Sequence, residues 1–240
     1  MAKKRRKQHG TDTPDDAFVA WLITLSTWGA KHTRTLTVVG IAVALAAGAG
    51  VYYYNYRQNL EVQAAQEFTQ VENAFNASTP DSAVTALRTF VRRYGSTPYA
   101  TEASLLLAEL HLRQGRAQDA INLLEPRSQD LSDPLSLQAA FLLGTAYENA
   151  GRTEDAENLY LRIADQAGLT FQVRDALTDA ARIRAEKQDY AGAASLYQRV
   201  LDTYAQDSTS TQPAATAQRR QIELRLAEMA AAQRHSDTRS

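Results

Sequence analysis

The sequence predicts an all-α protein: a solenoid of helical hairpins, preceded by an N-terminal amphipathic helix and a single membrane-spanning helix. Three observations predict it. Ala, Leu, Arg, Gln and Glu dominate while Gly (11) and Pro (6) are few in 240 residues, a composition of strong helix formers. One uncharged stretch is long enough to cross a bilayer. A motif of small and large residues recurs through the body at a nearly constant period.

The uncharged stretch is Thr35 to Tyr56, 22 residues bracketed by Arg34 and Arg57. At about 1.5 Å per residue it spans about 33 Å, enough for a hydrocarbon core of about 30 Å. A buried soluble helix would carry a polar stripe at helical spacing, and Val38 to Val51 has none. Tyr52, Tyr53, Tyr54 and Tyr56 form an aromatic belt at one interface. A cleaved signal peptide is the competing reading, with Ala47 and Ala49 as an acceptable small pair. Its apolar run would lie unusually far from the N-terminus and exceed the usual length, so an uncleaved signal-anchor is expected. Small residues recur every four positions (Ala42, Ala46, Gly50; Ala44, Gly48). Such spacing permits close helix approach, but an Ala-rich span produces it by chance.

Orientation follows from charge. Lys3, Lys4, Arg5, Arg6, Lys7, Lys31 and Arg34 precede the stretch, while Arg57 is the lone cation in the twenty residues after it, so the N-terminus is expected in the cytoplasm. The net charge of -1 is divided unevenly: residues 1–57 carry 8 Lys+Arg against 3 acids, and residues 58–240 carry 18 against 24. A mildly acidic body lacks the clustered basic face that nucleic acid requires. The KKRRK run at 3–7 reads as a retention signal touching anionic lipid, with a nuclear localisation signal or nucleic-acid arm as the competing view.

Residues 1–34 thus form a basic cytoplasmic segment. Within it Thr13-Pro14-Asp15-Asp16 is a helix start, and Phe18, Leu22, Leu25 and Trp28 lie on one face of a helix over 14–28. That face suits the headgroup region, or else a partner helix.

The body repeats. LLLAELHLRQGRAQDAINLLEP (105–126), FLLGTAYENAGRTEDAENLYLRI (141–163) and TDAARIRAEKQDYAGAASLYQRV (178–200) superimpose. Small residues recur at Ala108, Gly144 and Ala181, then at Ala120, Ala156 and Ala193, and a large one follows at Leu124, Tyr160 and Tyr197, giving a period of 36 to 37 residues. A fainter copy upstream carries Val71, Ala83 and Leu87. About four hairpins over 57–206 result, small residues marking where paired helices cross. Gly115 and Gly151 mark the ends of first helices. A loop is expected at 207–213, a capping helix at 214–233 with Ile222, Leu226 and Met229 inward, and a disordered tail at 234–240.

These residues resemble the tetratricopeptide repeat, with Leu143-Gly144, Tyr147, Gly151, Ala156 and Tyr160 matching best. The period is two or three residues too long, the terminal Pro is displaced or absent, and in the last copy Gln188 replaces the turn Gly and Arg184 the Tyr. The resemblance implies a groove lined by first helices. Its expected residues are Glu102, Leu105, Glu109, Leu112 and Arg113, then Gln138, Phe141, Thr145, Glu148 and Asn149, then Asp175, Thr178, Arg182 and Glu186. Apolar with scattered acids, this surface lacks a basic clamp for peptide carboxylates and fits an extended, partly apolar, basic client. Leu105 and Phe141 could equally pack against neighbouring helices.

Catalysis is not expected. There is no cysteine, no HExxH, GxSxG or Walker loop, and His9, His32, His111 and His235 are dispersed. His111 takes the usual Tyr position and reads as a packing residue. Acid pairs such as Glu154 and Asp155 read as solvated surface. No cofactor, metal or small-molecule substrate is implied. Asn76-Ala-Ser78 matches a glycosylation sequon, a short pattern common by chance.

The order of parts resembles the YfgM-type ancillary subunit of the bacterial Sec translocon. The similar text is DDAFVAWL, VYYYNYRQNLEVQAAQEF and TPYATEASLLLAELHLRQGRAQDAINLLEP, all within residues 15–127. The resemblance implies an inner-membrane protein with its repeat domain in the periplasm. Its implied partners are Sec translocon components, exported polypeptides or periplasmic chaperones. Two other readings stay open: an anchored scaffold for envelope assembly or cell division, and a regulator acting through its basic cytoplasmic tail.

Overall fold

A computed structural model of the chain describes residues 33–77, 79–206 and 213–237. The basic segment, the amphipathic helix 14–28, most of the loop at 207–213 and the last three residues lie outside the described residues. Within the described residues every regular element is helical: α1 (Thr33–Ala77), α2 (Pro80–Arg93), α3 (Pro98–Arg113), α4 (Ala117–Leu124), α5 (Pro134–Asn149), α6 (Thr153–Gln166), α7 (Thr170–Glu186), α8 (Tyr190–Gln206) and α9 (Pro213–Asp237), with a 3-10 turn at Glu125–Arg127. The chain divides into two compact units, one ending at Asn59 and the other starting at Leu60.

In the first unit, α1 leaves its apolar side chains uncovered. Val38, Val43, Leu45 and Val51 are each more than 60% exposed, and no described part of the chain shields them. It is one helix long and apolar enough to cross a membrane by length and composition. The tyrosines that follow are also exposed. Tyr54 accepts a hydrogen bond from Gln58 at 2.7 Å, and Tyr52 and Tyr56 stack one turn apart. The helix does not stop at the expected border near Tyr56. It runs unbroken for 45 residues to Ala77, because residues 57–77 change polarity while offering no Gly or Pro to end it.

In the second unit the helices pair in chain order from α2 to α9, and the first helices α3 and α5 also touch. The end of α1 packs against α2 through Leu60, Phe68, Val71 and Phe75 over Ala83, Val84, Leu87 and Phe90. The other hairpins are α3–α4, α5–α6 and α7–α8. Ala108, Ala120, Ala156, Ala181 and Ala193 are fully buried at the crossings, where side chains without bulk let helix axes approach. Gly144 is the extreme case, since a Cβ there would lie 2.5 Å from the Tyr160 ring. Leu124, Tyr160 and Tyr197 are buried as the period requires.

Each of the last three first helices ends in the same way. After α3, α5 and α7, residues Gly115, Gly151 and Gln188 adopt φ of 71, 73 and 63°. The next amide reaches back five residues: Arg116 to His111 and Arg152 to Tyr147 at 2.8 Å, Asp189 to Arg184 at 2.9 Å. This is the 6→1 closure that satisfies carbonyls at a helix end. In the last copy the geometry survives with Gln in place of Gly, held by flanking helices.

The capping helix packs on α8 and buries Ile222, with Leu226 and Met229 half-buried beside it. It is longer than expected at both ends. Pro213 is its first residue, a position where the missing N–H costs nothing. It then continues to Asp237, through four residues expected to be disordered, with Arg234 and His235 in a last turn that favours positive charge.

Candidate protein-binding groove

First helices α3, α5 and α7 carry the expected groove residues, and three adjoining cavities bring most of them together. Between α5 and α7 a cavity of about 480 Å³ is lined by Pro134, Leu137, Gln138 and Phe141 on one wall and Phe171, Gln172, Asp175, Thr178 and Asp179 on the other. Between α3 and α5 a second, of about 420 Å³, holds Leu105, Leu106, Glu109, Gln138, Phe141, Leu142 and Thr145, closed by Tyr160 and Asp179. The third, of about 490 Å³, lies where α9 meets α7 and α8 and includes Thr178, Arg182 and Glu186. Gln138 and Phe141 border the first two cavities and Thr178 the first and third, so the three form one track.

Five expected residues sit outside these cavities. Glu102 is half-buried on α3, and Leu112 is half-buried and packed on the core. Arg113 pairs with Glu109 and lies over the Phe75 ring at 5.8 Å. Asn149 is exposed beside the turn. Glu148 faces inward to an ion pair. Leu105 is 8% exposed, so it is floor rather than an open contact, whereas Phe141 remains half-exposed.

Several lining residues escaped sequence reasoning, Phe171 and Asp179 the most telling among them. Phe171, 53% exposed, lies in the first turn of α7, one turn before Asp175, so extending the α7 stripe by one turn would have found it. Asp179 sits between Thr178 and Arg182, off the strict stripe, and only the approach of α5 and α6 makes it a wall residue.

Charge in the track is set by Arg182. Its guanidinium holds Glu148 in a two-pronged pair at 2.7 and 2.9 Å, and reaches Asp179 at 3.1 Å and Glu186 at 3.2 Å. Donation to Glu148 is the main reason its pKa is driven further up. Tyr160 donates to the same Glu148 carboxylate at 3.0 Å, and burial above all raises the phenol's pKa. One cation thus faces three carboxylates. Burial raises the pKa of Asp179, and likewise of Asp175, which also feels the charge of Asp179. The track offers apolar surface edged by acid, and its cations, Arg182 and at the α9 end Arg225, are both paired with carboxylates. Among the described residues no cluster of three or more His, Asp or Glu could hold a metal ion.

Three family models match: a tetratricopeptide repeat-like domain over residues 27–142, and tetratricopeptide repeats over 127–169 and 175–207. Two similar crystal structures are of the nearly identical TPR-like repeats of a kinesin-light-chain-like protein from Podosopora anserina, one of them a point variant. The variant shares 19% identity at a TM-score of 0.51, covering 74% of this chain and 97% of that one. The other shares 18% at 0.50, covering 72% and 96%. At such identity the likeness concerns the fold alone. No curated protein sequence matches. The class is thereby defined: an all-helical, tetratricopeptide-like repeat solenoid preceded by one long apolar helix.

Proposed function

We propose that the protein is a membrane-anchored, periplasmic protein-interaction module that holds extended segments of exported polypeptides in the α3–α5–α7 track, beside the Sec translocon. The observation that carries this reading is the cavity between α5 and α7. Half-exposed Phe141 and Phe171 supply apolar contact, Asp175 and Asp179 supply negative charge, and Arg182, which would otherwise invite acidic ligands, is occupied by Glu148. An extended chain with alternating apolar and basic side chains suits such a track. The anchor reading rests on the uncovered apolar part of α1 and the Lys/Arg excess before it. Placement beside the translocon rests on the similarity within residues 15–127.

A photo-crosslinking residue placed in turn at Phe141 and Phe171 in living bacteria tests the reading. Adducts with exported polypeptides in transit, together with co-purifying Sec components, are expected. Adducts with a single stable cell-wall or outer-membrane protein would favour the envelope scaffold instead, and no exported adduct at either position would refute client binding.

A further inference from the structure

On the other side of α3, away from the track, a separate cavity of about 330 Å³ lies among α2, α3 and α4. It is lined by Arg88, Val91 and Arg92 from α2, Leu107 and His111 from α3, and Asp119, Asn122 and Leu123 from α4. Leu107 and His111 stand two residues along from Leu105 and Glu109, which helical geometry turns to the opposite flank.

Three observations point to a ligand. His111 is 3% exposed, yet its Nδ1 has no hydrogen-bond partner, and a buried polar atom left so is costly unless something from outside meets it. Arg88 and Arg92 are exposed, one turn apart on α2, and neither has a carboxylate within ion-pair distance among the described residues. Asp119, the carboxylate on the cavity lining, lies 4.0 Å from Arg116. Asn122 accepts from Gln118 through its side-chain oxygen at 2.8 Å, which leaves its NH₂ group to donate. Arg88, Arg92 and the Asn122 NH₂ group are therefore available donors, the two arginines outnumber the one lining carboxylate, Asp119, and Val91, Leu107 and Leu123 supply an apolar wall beside them.

We propose that this cavity binds a carboxylate side chain of a partner polypeptide, an Asp or Glu flanked by apolar residues. The Arg88–Arg92 pair grips the carboxylate, His111 in its Nδ1–H tautomer and the Asn122 NH₂ group donate to it, and the flanking apolar group rests on Val91, Leu107 and Leu123. The site has the opposite charge preference to the α3–α5–α7 track, so the two surfaces take different partners, and it stands whether or not the track binds clients.

The test uses the full-length chain in detergent micelles, labelled with ¹⁵N at Arg and His. It is titrated with the acetylated, amidated peptide Gly-Leu-Glu-Leu-Gly, with its Gln counterpart, and with inorganic phosphate. The Glu peptide is expected to shift the His111 imidazole and the Arg88 and Arg92 guanidinium signals saturably, with the Gln peptide and phosphate at least about tenfold weaker. The double variant Arg88→Gln, Arg92→Gln, both at exposed positions, is expected to keep its circular dichroism and lose the Glu peptide by at least about tenfold. His111→Gln, melted alongside, is expected to weaken binding less than the double variant does. No saturable shift, an equal response to the Gln peptide, tighter binding of phosphate, or undiminished binding by the double variant would overturn the proposal.

Discussion

Gln188 ends α7 in a left-handed conformation at φ 63°, which for a residue with a Cβ costs about 1–2 kcal/mol. Gln188→Gly is therefore expected to raise stability by about 1 kcal/mol in urea unfolding, part of the relief being offset by the looser unfolded chain. Gly144 is the converse. Tyr160 lies across it because the phenol reaches Glu148, one turn further along the same helix. Gly144→Ala gains helix propensity but drives a methyl into the ring, and a net loss of about 1–3 kcal/mol is expected from the same measurement. Tyr147 gives a pH signature. Burial, with a hydrogen bond to Glu125 at 2.8 Å, pushes its pKa from 10.0 up to about 12. The folded state holds that proton more tightly than the unfolded state, so this contribution is whole below pH 10 and is lost as pH rises toward 12. Tyr147→Phe is expected to cost about 1 kcal/mol at neutral pH and to show a shallower alkaline loss of stability than the parent.

At the scale of elements, α9 closes the stack. It shields Tyr197 and its neighbours on α8 through Ile222 and Met229. Ending the chain after Gln206 is expected to lower stability by about 2–4 kcal/mol and to promote self-association, read by thermal melting and sedimentation. Elsewhere, the Asp133 carboxylate accepts from the Ser136 amide at 2.8 Å to start α5, and Asp189 caps α8 through the Gly192 amide at 2.9 Å. The hairpins were legible because a helix crossing demands a small residue at a fixed point and a turn demands φ above zero, both local requirements. The continuation of α1 past Tyr56 was not, since a change of polarity looks like a border although nothing there breaks a helix.

For the whole molecule, the exposed apolar part of α1 and the cation excess before it bear on topology. Alkaline phosphatase fused after Ser240 is expected to be active, because that enzyme matures only after export, while activity confined to a cytosolic reporter at the same place would remove the periplasmic assignment. The resemblance within residues 15–127 motivates the translocon as neighbour, and the crosslinks at Phe141 and Phe171 decide whether clients follow.

The sequence by itself determined the helical hairpins of the body, their period of 36 to 37 residues, the buried crossings and the stretch able to span a bilayer. Each is written in spacings of a few residues along one helix or in a repeat that copies them. Tertiary structure alone decided that Arg182 is consumed by Glu148, that Phe171 and Phe141 line one cavity, and that His111 shares another with Arg88 and Arg92. Those are relations between side chains on different helices. Their distances depend on how the helices cross, which no local pattern encodes.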